Sequence, residues 1–311
     1  MNLSQAIQAT ETLMFEAVAS DVEILEEASR YILQAGGKRV RPRVFLLAYL
    51  AAGGRALEEV LPLAAAVELV HTATLVHDDI NDHSSMRRGH ETINARWGRT
   101  IALLTGDFLF TKVYQLVAPY GDLNALFAEA TVALVEGEAL QAASARAGTL
   151  NRETYQQIIA KKTASLFRLA AMLGAKAANA AMDQIEALGA YGFYLGLVFQ
   201  IVDDLLDLVG DPALMGKAAG VDLKQGKGVS IAVAQSGNGH DREAAVAAGT
   251  ATSDPFVEIK RRLVADGAVE EGRHMAQVLA QQARAELDKL PPGPGVDGLR
   301  ELITLVLQRD R

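Results

Sequence analysis

Apolar residues run along this chain in long stretches at helical spacing, punctuated by glycine and proline rather than by strand-like alternation. Alanine and leucine dominate, β-branched runs are scarce, and no proline lies between Tyr120 and Asp211, so that span is predicted as several long helices. The pattern predicts helices over Ala56–Ile80, Asn124–Ala145, Arg152–Leu173, Met182–Val209, Asp254–Ala265 and Val269–Lys289. Pro62 is best tolerated in a first turn, which puts the expected start of the first helix proper near Leu61. Breaks are expected at Gly53-Gly54, Pro119-Tyr120-Gly121, Ala147-Gly148 and Gly210-Asp211-Pro212, and Pro291–Gly295 separates the last helix from the body. The polar, glycine-bearing segment Gln235–Pro255 reads as a loop or weakly helical insert. With no fixed-period repeat and no linker, the expectation is an all-α fold in a single domain over residues 1–311.

Two of these helices end in the same acidic pattern. Asp78-Asp79-Ile80-Asn81-Asp82 follows one long apolar run, and Asp203-Asp204-Leu205-Leu206-Asp207 follows another. Positions i and i+4 of a helix lie about 40° apart around its axis and i+1 about 100° away, so each set projects three carboxylates toward one helix end. Two carboxylates about 4 Å apart repel by about 4 kcal/mol at an effective dielectric of 20, and this crowding calls for cations. Carboxylate oxygens without sulfur or imidazole suit magnesium, which keeps waters and shares its shell with substrate phosphates. One acidic triplet on a helix is ordinarily a solvated face. Two matching triplets, each after an apolar run rather than an amphipathic one, argue against that reading.

Basic residues supply the complement. Gly36-Gly37-Lys38-Arg39-Val40-Arg41-Pro42-Arg43 joins a glycine turn to four cations, and Arg87-Arg88-Gly89 lies just past the first acidic set. Lys161-Lys162-Thr163 sits mid-chain, and Lys217 and Lys227 flank a glycine-bearing loop after the second set. Alone, each cluster reads as surface; together with two acidic sets they suit a diphosphate. Composition narrows the field further. The 311 residues are 50% hydrophobic and carry a formal charge of −8, which argues against a general nucleic-acid binder. Cysteine is absent, so disulfides, zinc-thiolate sites, iron–sulfur clusters and thiol nucleophiles are excluded. No basic stretch precedes an apolar run near the N-terminus, and the longest uncharged stretch, Ala187–Val202, is too short to span a bilayer. A soluble, cytoplasmic protein is expected.

The sequence resembles the trans-isoprenyl diphosphate synthases of the polyprenyl synthetase family over nearly its whole length. The matching stretches are GGKRVRPR, VELVHTATLVHDDINDHSSMRRG, LLTGDFLF, VEGEALQ, KKTASLF, FQIVDDLLDLVGD and GKAAGVDLKQGK. The resemblance implies a bundle of long helices around a central apolar cavity, and three magnesium ions held by Asp78, Asp82 and Asp203, with Asp79, Asp204 and Asp207 in support. It implies that Arg87, Lys162, Thr163, Gln200, Lys217 and Lys227 contact an allylic diphosphate. Lys38, Arg41, His71 and Arg88 would hold isopentenyl diphosphate. It also implies a homodimer; membrane contact is expected to be transient at most, since no basic amphipathic anchor is evident.

Product length should be set beneath the first acidic set. Around the helix Thr74 lies about 40° and Val67 about 20° from Asp78, so both are expected in the wall below it. The family's short-chain members usually carry bulky aromatics where this chain has Ala73 and Thr74, and no Phe, Tyr or Trp occurs from Ala51 to Arg96. A slot lined by small residues favours a long product, with Phe127, Leu134 or Met172 as candidate floor; the same alanine and threonine would also permit tight helix packing. The alternatives are a shorter farnesyl or geranylgeranyl product, a non-catalytic partner subunit of a heteromeric synthase, a terpene cyclase, and a metal hydrolase using His71, His77 and Asp78. A cyclase needs no second basic pocket, and a hydrolase needs no duplicated acidic set. One departure from the family concerns Val229-Ser230-Ile231, where Thr-Leu-Pro is usual, and it bears on closure of the loop after the second acidic set.

Overall fold

The computed structural model describes residues 1–147, 149–209 and 267–309. At its centre is α4 (Leu57–Asn81), whose three consecutive alanines, Ala64–Ala66, and whose valines and leucines leave it apolar on every side. A helix of that kind is stable only when surrounded. It packs against α1 (Leu3–Ala17), α3 (Val40–Ala51), α6 (Arg99–Val117) and α9 (Ser165–Ala177). The second long apolar helix, α10 (Met182–Val209), lies against α9 and α11 (Ala268–Leu287). Around them stand α2 (Glu23–Gln34), the short α5 (Ile93–Trp97), α7 (Leu123–Ala147), α8 (Arg152–Ile159) and α12 (Pro294–Leu307), which closes against α3. One continuous hydrophobic core joins them.

The described residues are all-α apart from a two-residue ladder, β1 (Met86–Arg87) with β2 (His90–Glu91). Arg88 (φ 51°) and Gly89 (φ 79°) form its turn, the pair of positive φ values that a tight two-residue hairpin requires. Its brevity explains why no alternation is visible in sequence. Helix α4 starts at Leu57, a turn earlier than Pro62 suggests, because Leu57, Val60 and Leu61 are all buried and hold the first turn despite the missing N–H. The helix expected over Asp254–Ala265, the insert Gln235–Pro255 and the break at Gly210-Asp211-Pro212 lie outside the described residues.

The run expected as one helix over Arg152–Leu173 is interrupted by a π turn, Ala160–Ala164, between α8 and α9. Such turns insert a residue and re-aim the side chains on either side, and they concentrate at functional sites. Gly137 of α7 makes room for this one, since a Cβ there would stand 2.6 Å from the Lys162 backbone nitrogen. Gly137→Ala is therefore expected to push α7 off the π turn and destabilise the protein by about 1–3 kcal/mol, read as a lower urea midpoint with unchanged m.

Among the described residues three helices, α4, α6 extended to Tyr120, and α10, are long and apolar enough to cross a membrane by length and composition. In α4 and α10 the apolar windows are 72% and 61% buried inside the protein, so their apolarity serves the core and the walls between them. The α6 window is only 33% buried, and Leu103, Leu104 and Tyr114 stand exposed on it.

Candidate active site

The C-terminal turn of α4 and that of α10 open onto one cavity of about 890 Å³. Asp78 and Asp82 of α4 and Asp203 and Asp204 of α10 line it, together with the aliphatic Leu134, Leu150, Ile158 and Ile159. The duplicated acidic pattern thus converges on a single space. The six carboxylates of the two acidic sets do not act alike. Asp79, 2% exposed, accepts from Arg87 Nε at 2.8 Å and does not line the cavity. Burial raises its pKa against the pull of Arg87. Asp204 is equally occupied: Tyr155 donates to Oδ2 at 2.6 Å and Gln200 Nε2 to Oδ1 at 2.8 Å. Asp207, also buried, lies one turn further along α10 and off the cavity wall. Asp79 and Asp204 therefore brace their neighbours, leaving Asp78, Asp82 and Asp203 facing the space.

The π turn ties the two acidic sets together through consecutive residues. Lys162 Nζ is 3.4 Å from Asp78 Oδ2 and 2.6 Å from Glu138 Oε1, and donates to Gln141 at 2.8 Å. Thr163 donates to Gln200 Oε1 at 2.7 Å, and Gln200 in turn donates to Asp204. Burial opposes the charge on Lys162, but Asp78 and Glu138 outweigh it and raise its pKa, so it stays an ammonium. Burial and Asp78 push Glu138 up to about 7. Lys161 turns outward and pairs with Glu136.

The basic loops form the remaining wall. Gly36 (φ 71°) and Arg39 (φ 48°) turn the backbone into α3, and Arg39 is spent on structure, paired with Glu11 at 2.7 Å and Glu68 at 3.3 Å. Lys38, Arg41, His71 and Arg88 all line the cavity. Arg88 donates to the Gly36 carbonyl and crosses Gly37, where a Cβ would lie 2.9 Å from its Nη1. Arg41 lies over the Phe167 ring at 4.8 Å, and burial lowers its pKa to about 10, far above neutrality. Burial and then the surrounding Arg41, Arg88, Arg87 and Arg39 hold His71 well below its usual value, so it faces an anion as a neutral N–H donor. His77 points elsewhere: its Nε2 is 3.3 Å from the Leu103 carbonyl and its ring stacks on Phe110 of α6. That separation removes the histidine pair a metal hydrolase would need.

Four lining residues were not singled out from the sequence: Tyr155, Glu138, Gln141 and Arg309, whose Nη2 reaches Asp203 Oδ1 at 2.9 Å. Glu138 and Gln141 sit in the VEGEALQ stretch, and their spacing of three on one helix face was the available clue. Lys217 and Lys227 lie outside the described residues. Thr74 lines the cavity, whereas Ala73 and Val67 do not; both are fully buried in the core. Val67 lies nearly two turns below Thr74, beyond the reach of the cavity, and Ala73 faces a neighbouring helix layer. Of the floor candidates only Leu134 lines it.

The model of the family described as "Polyprenyl synthetase" matches residues 22–257. The octaprenyl diphosphate synthase of Escherichia coli K12 is 35% identical over 317 residues, covering 99% of this chain and 97% of that protein. This chain belongs to the polyprenyl synthetase family. The all-trans-nonaprenyl-diphosphate synthase (geranyl-diphosphate specific) of Rhodobacter capsulatus is 34% identical, covering 99% of this chain and 96% of its own. Among solved structures, the polyprenyl synthase of Caulobacter crescentus CB15, complexed with calcium and isoprenyl diphosphate, superposes with a TM-score of 0.91 at 33% identity, covering 99% and 96% of the two chains. As a polyprenyl synthetase the chain is a trans-prenyltransferase, and the family's catalysis depends on magnesium.

The residues present fit that ion. Among the described residues no three carboxylate or imidazole groups converge on one point. Asp78 and Asp203 are instead each met by a cation, Lys162 and Arg309. Hard oxygen donors spread over two helix ends suit an ion that completes its shell with water and phosphate oxygen.

Proposed function

We propose that this polyprenyl synthetase condenses an allylic diphosphate with isopentenyl diphosphate, head to tail, and makes a long trans-polyprenyl diphosphate. The observation that carries this reading is the shared cavity: two acidic helix ends, two groups of cations and a set of aliphatic side chains line one space. Asp78, Asp82 and Asp203 would hold three magnesium ions, which when bound supply charge to the leaving diphosphate. Arg87 and Lys162, with Thr163 and Gln200, hold the allylic diphosphate as its carbon–oxygen bond breaks and the electron pair leaves with the phosphate oxygen. Lys217 and Lys227 join them on the strength of the resemblance. Lys38, Arg41, His71 and Arg88 orient isopentenyl diphosphate so that its double bond attacks the allylic cation and a carbon–carbon bond forms. The proton lost afterwards passes to the departing diphosphate, Glu138 being held by Lys162. Leu134, Leu150, Ile158 and Ile159 keep water from the cation.

A long product is supported by Thr74, a small residue one turn below Asp78 on the cavity wall. A homodimer is supported by the exposed Leu103, Leu104 and Tyr114 on α6, and a cytoplasmic enzyme with no more than transient membrane contact fits the burial of α4 and α10. The test is direct: purified protein without any partner is given magnesium, farnesyl diphosphate and isopentenyl diphosphate, and the products are weighed by mass spectrometry. A series of elongated trans-polyprenyl diphosphates is expected. No product under any metal condition would favour the partner-subunit reading.

A further inference from the structure

Arg309, just past α12, is joined to the site by three observations. Its guanidinium holds Asp203 at 2.9 Å. It lies over the Phe199 ring at 4.5 Å, one turn before Asp203 on α10. Its Nε and Nη1 are buried and find no hydrogen-bond partner among the described residues, although the side chain is 15% exposed and lines the cavity. Arg41 shares the ring, its guanidinium 5.9 Å from the Phe199 centroid, and its Nε is likewise buried without a partner. Two guanidinium groups flanking one aromatic ring repel each other, and each carries an unsatisfied donor. Buried donors left unmade are costly, so the pair is built for an anion that is shared between them.

We infer that Arg309 couples metal at Asp203 to the binding of the isopentenyl diphosphate headgroup. This rests on the functional reading above. Without metal, Arg309 neutralises Asp203. A divalent cation on the same carboxylate repels the guanidinium twice as strongly as a monovalent one would. Its nearest alternative acceptor is the diphosphate that Arg41 holds, and its two unpartnered nitrogens, Nε and Nη1, belong to a side chain that already lines that cavity. One arginine thus serves the carboxylate or the diphosphate, and metal decides which. By linkage the coupling is reciprocal: the diphosphate must favour metal by the same factor.

Calorimetric titration of isopentenyl diphosphate into wild type, R309Q and R309K, with saturating magnesium and with EDTA at matched ionic strength, tests this. Chelation of the ligand by magnesium is common to all three proteins and cancels in the ratio. Wild type is expected to gain about fivefold or more in affinity from magnesium relative to R309Q. R309K, a point charge without the planar fork, should fall between them. In the absence of substrate, R309Q should bind manganese more tightly than wild type, about fivefold by electron paramagnetic resonance. A purely structural Arg309 would lower the melting temperature and leave both ratios unchanged. Should R309Q fold poorly, R309K reads the same ratio. Equal magnesium gains in wild type and both variants overturn the coupling alone. Wild type that binds no isopentenyl diphosphate under either condition overturns the functional reading and the coupling with it.

Discussion

Asp78→Asn and Asp203→Asn should each lower kcat by about 10²–10³-fold or more while leaving the melting temperature nearly unchanged. Both side chains face the cavity, and neither holds the fold together: their cations, Lys162 and Arg309, have Glu138, Gln141 and the Phe199 ring as other partners. The amide keeps the shape of the carboxylate but loses the charge that gathers divalent ions around a leaving diphosphate. Asp204→Asn separates the two kinds of aspartate. There the acceptor of Tyr155 and Gln200 is disturbed inside the core, so stability should fall by about 1–3 kcal/mol as well as activity. Because Asp78 and Asp203 act on one leaving group, the double variant is expected to be little worse than the poorer single one, far short of the product of the two effects. Single-turnover rates together with thermal melts check all of this. Asp203→Asn with wild-type kcat would sink the assignment of the second acidic set.

The acidic sets and the loops that answer them were legible because each is a charge pattern at the end of an apolar run, where a solvated face has no reason to be. The family resemblance singled out Lys162 over Lys161, and the structure turns Lys162 toward Asp78 and Lys161 toward Glu136. The π turn between α8 and α9 nonetheless has no composition signal: AKKTA is ordinary helix-forming sequence, and the close approach that accommodates it involves Gly137 on another helix. Tyr155 and Arg309 were invisible for a related reason. A tyrosine in α8 and an arginine after α12 become site residues only through contacts with α10, 49 and 106 positions away. Helical periodicity fixed the face of α4 but not its depth. Thr74 and Val67 share that face, and only Thr74 reaches the cavity; Val67, nearly two turns deeper, is fully buried in the core.

That same depth gives the second large effect. Thr74→Phe is expected to shorten the product by several isoprene units. Thr74 is one turn below Asp78, lines the cavity, and its hydroxyl is turned back onto the His71 carbonyl at 2.8 Å, so the position is open toward the growing chain. A helical turn rises about 5.4 Å, close to the length of one isoprene unit, so a ring at this level meets the chain soon after it leaves the diphosphate. The cost to an extending chain is steep, because each CH₂ refused burial forfeits about 0.8 kcal/mol. Release should then compete with the next addition within the first few cycles. Ala73→Phe makes the control. Ala73 is fully buried and off the cavity wall, so a phenyl ring there overpacks the core, costs about 1–3 kcal/mol of stability and leaves the product distribution of the surviving enzyme near that of wild type. Mass spectra of the products, read beside melting curves, distinguish the two. An unchanged product from folded Thr74→Phe would mean that the chain grows along a different wall, and the α7 side at Leu134 would then be the place to look.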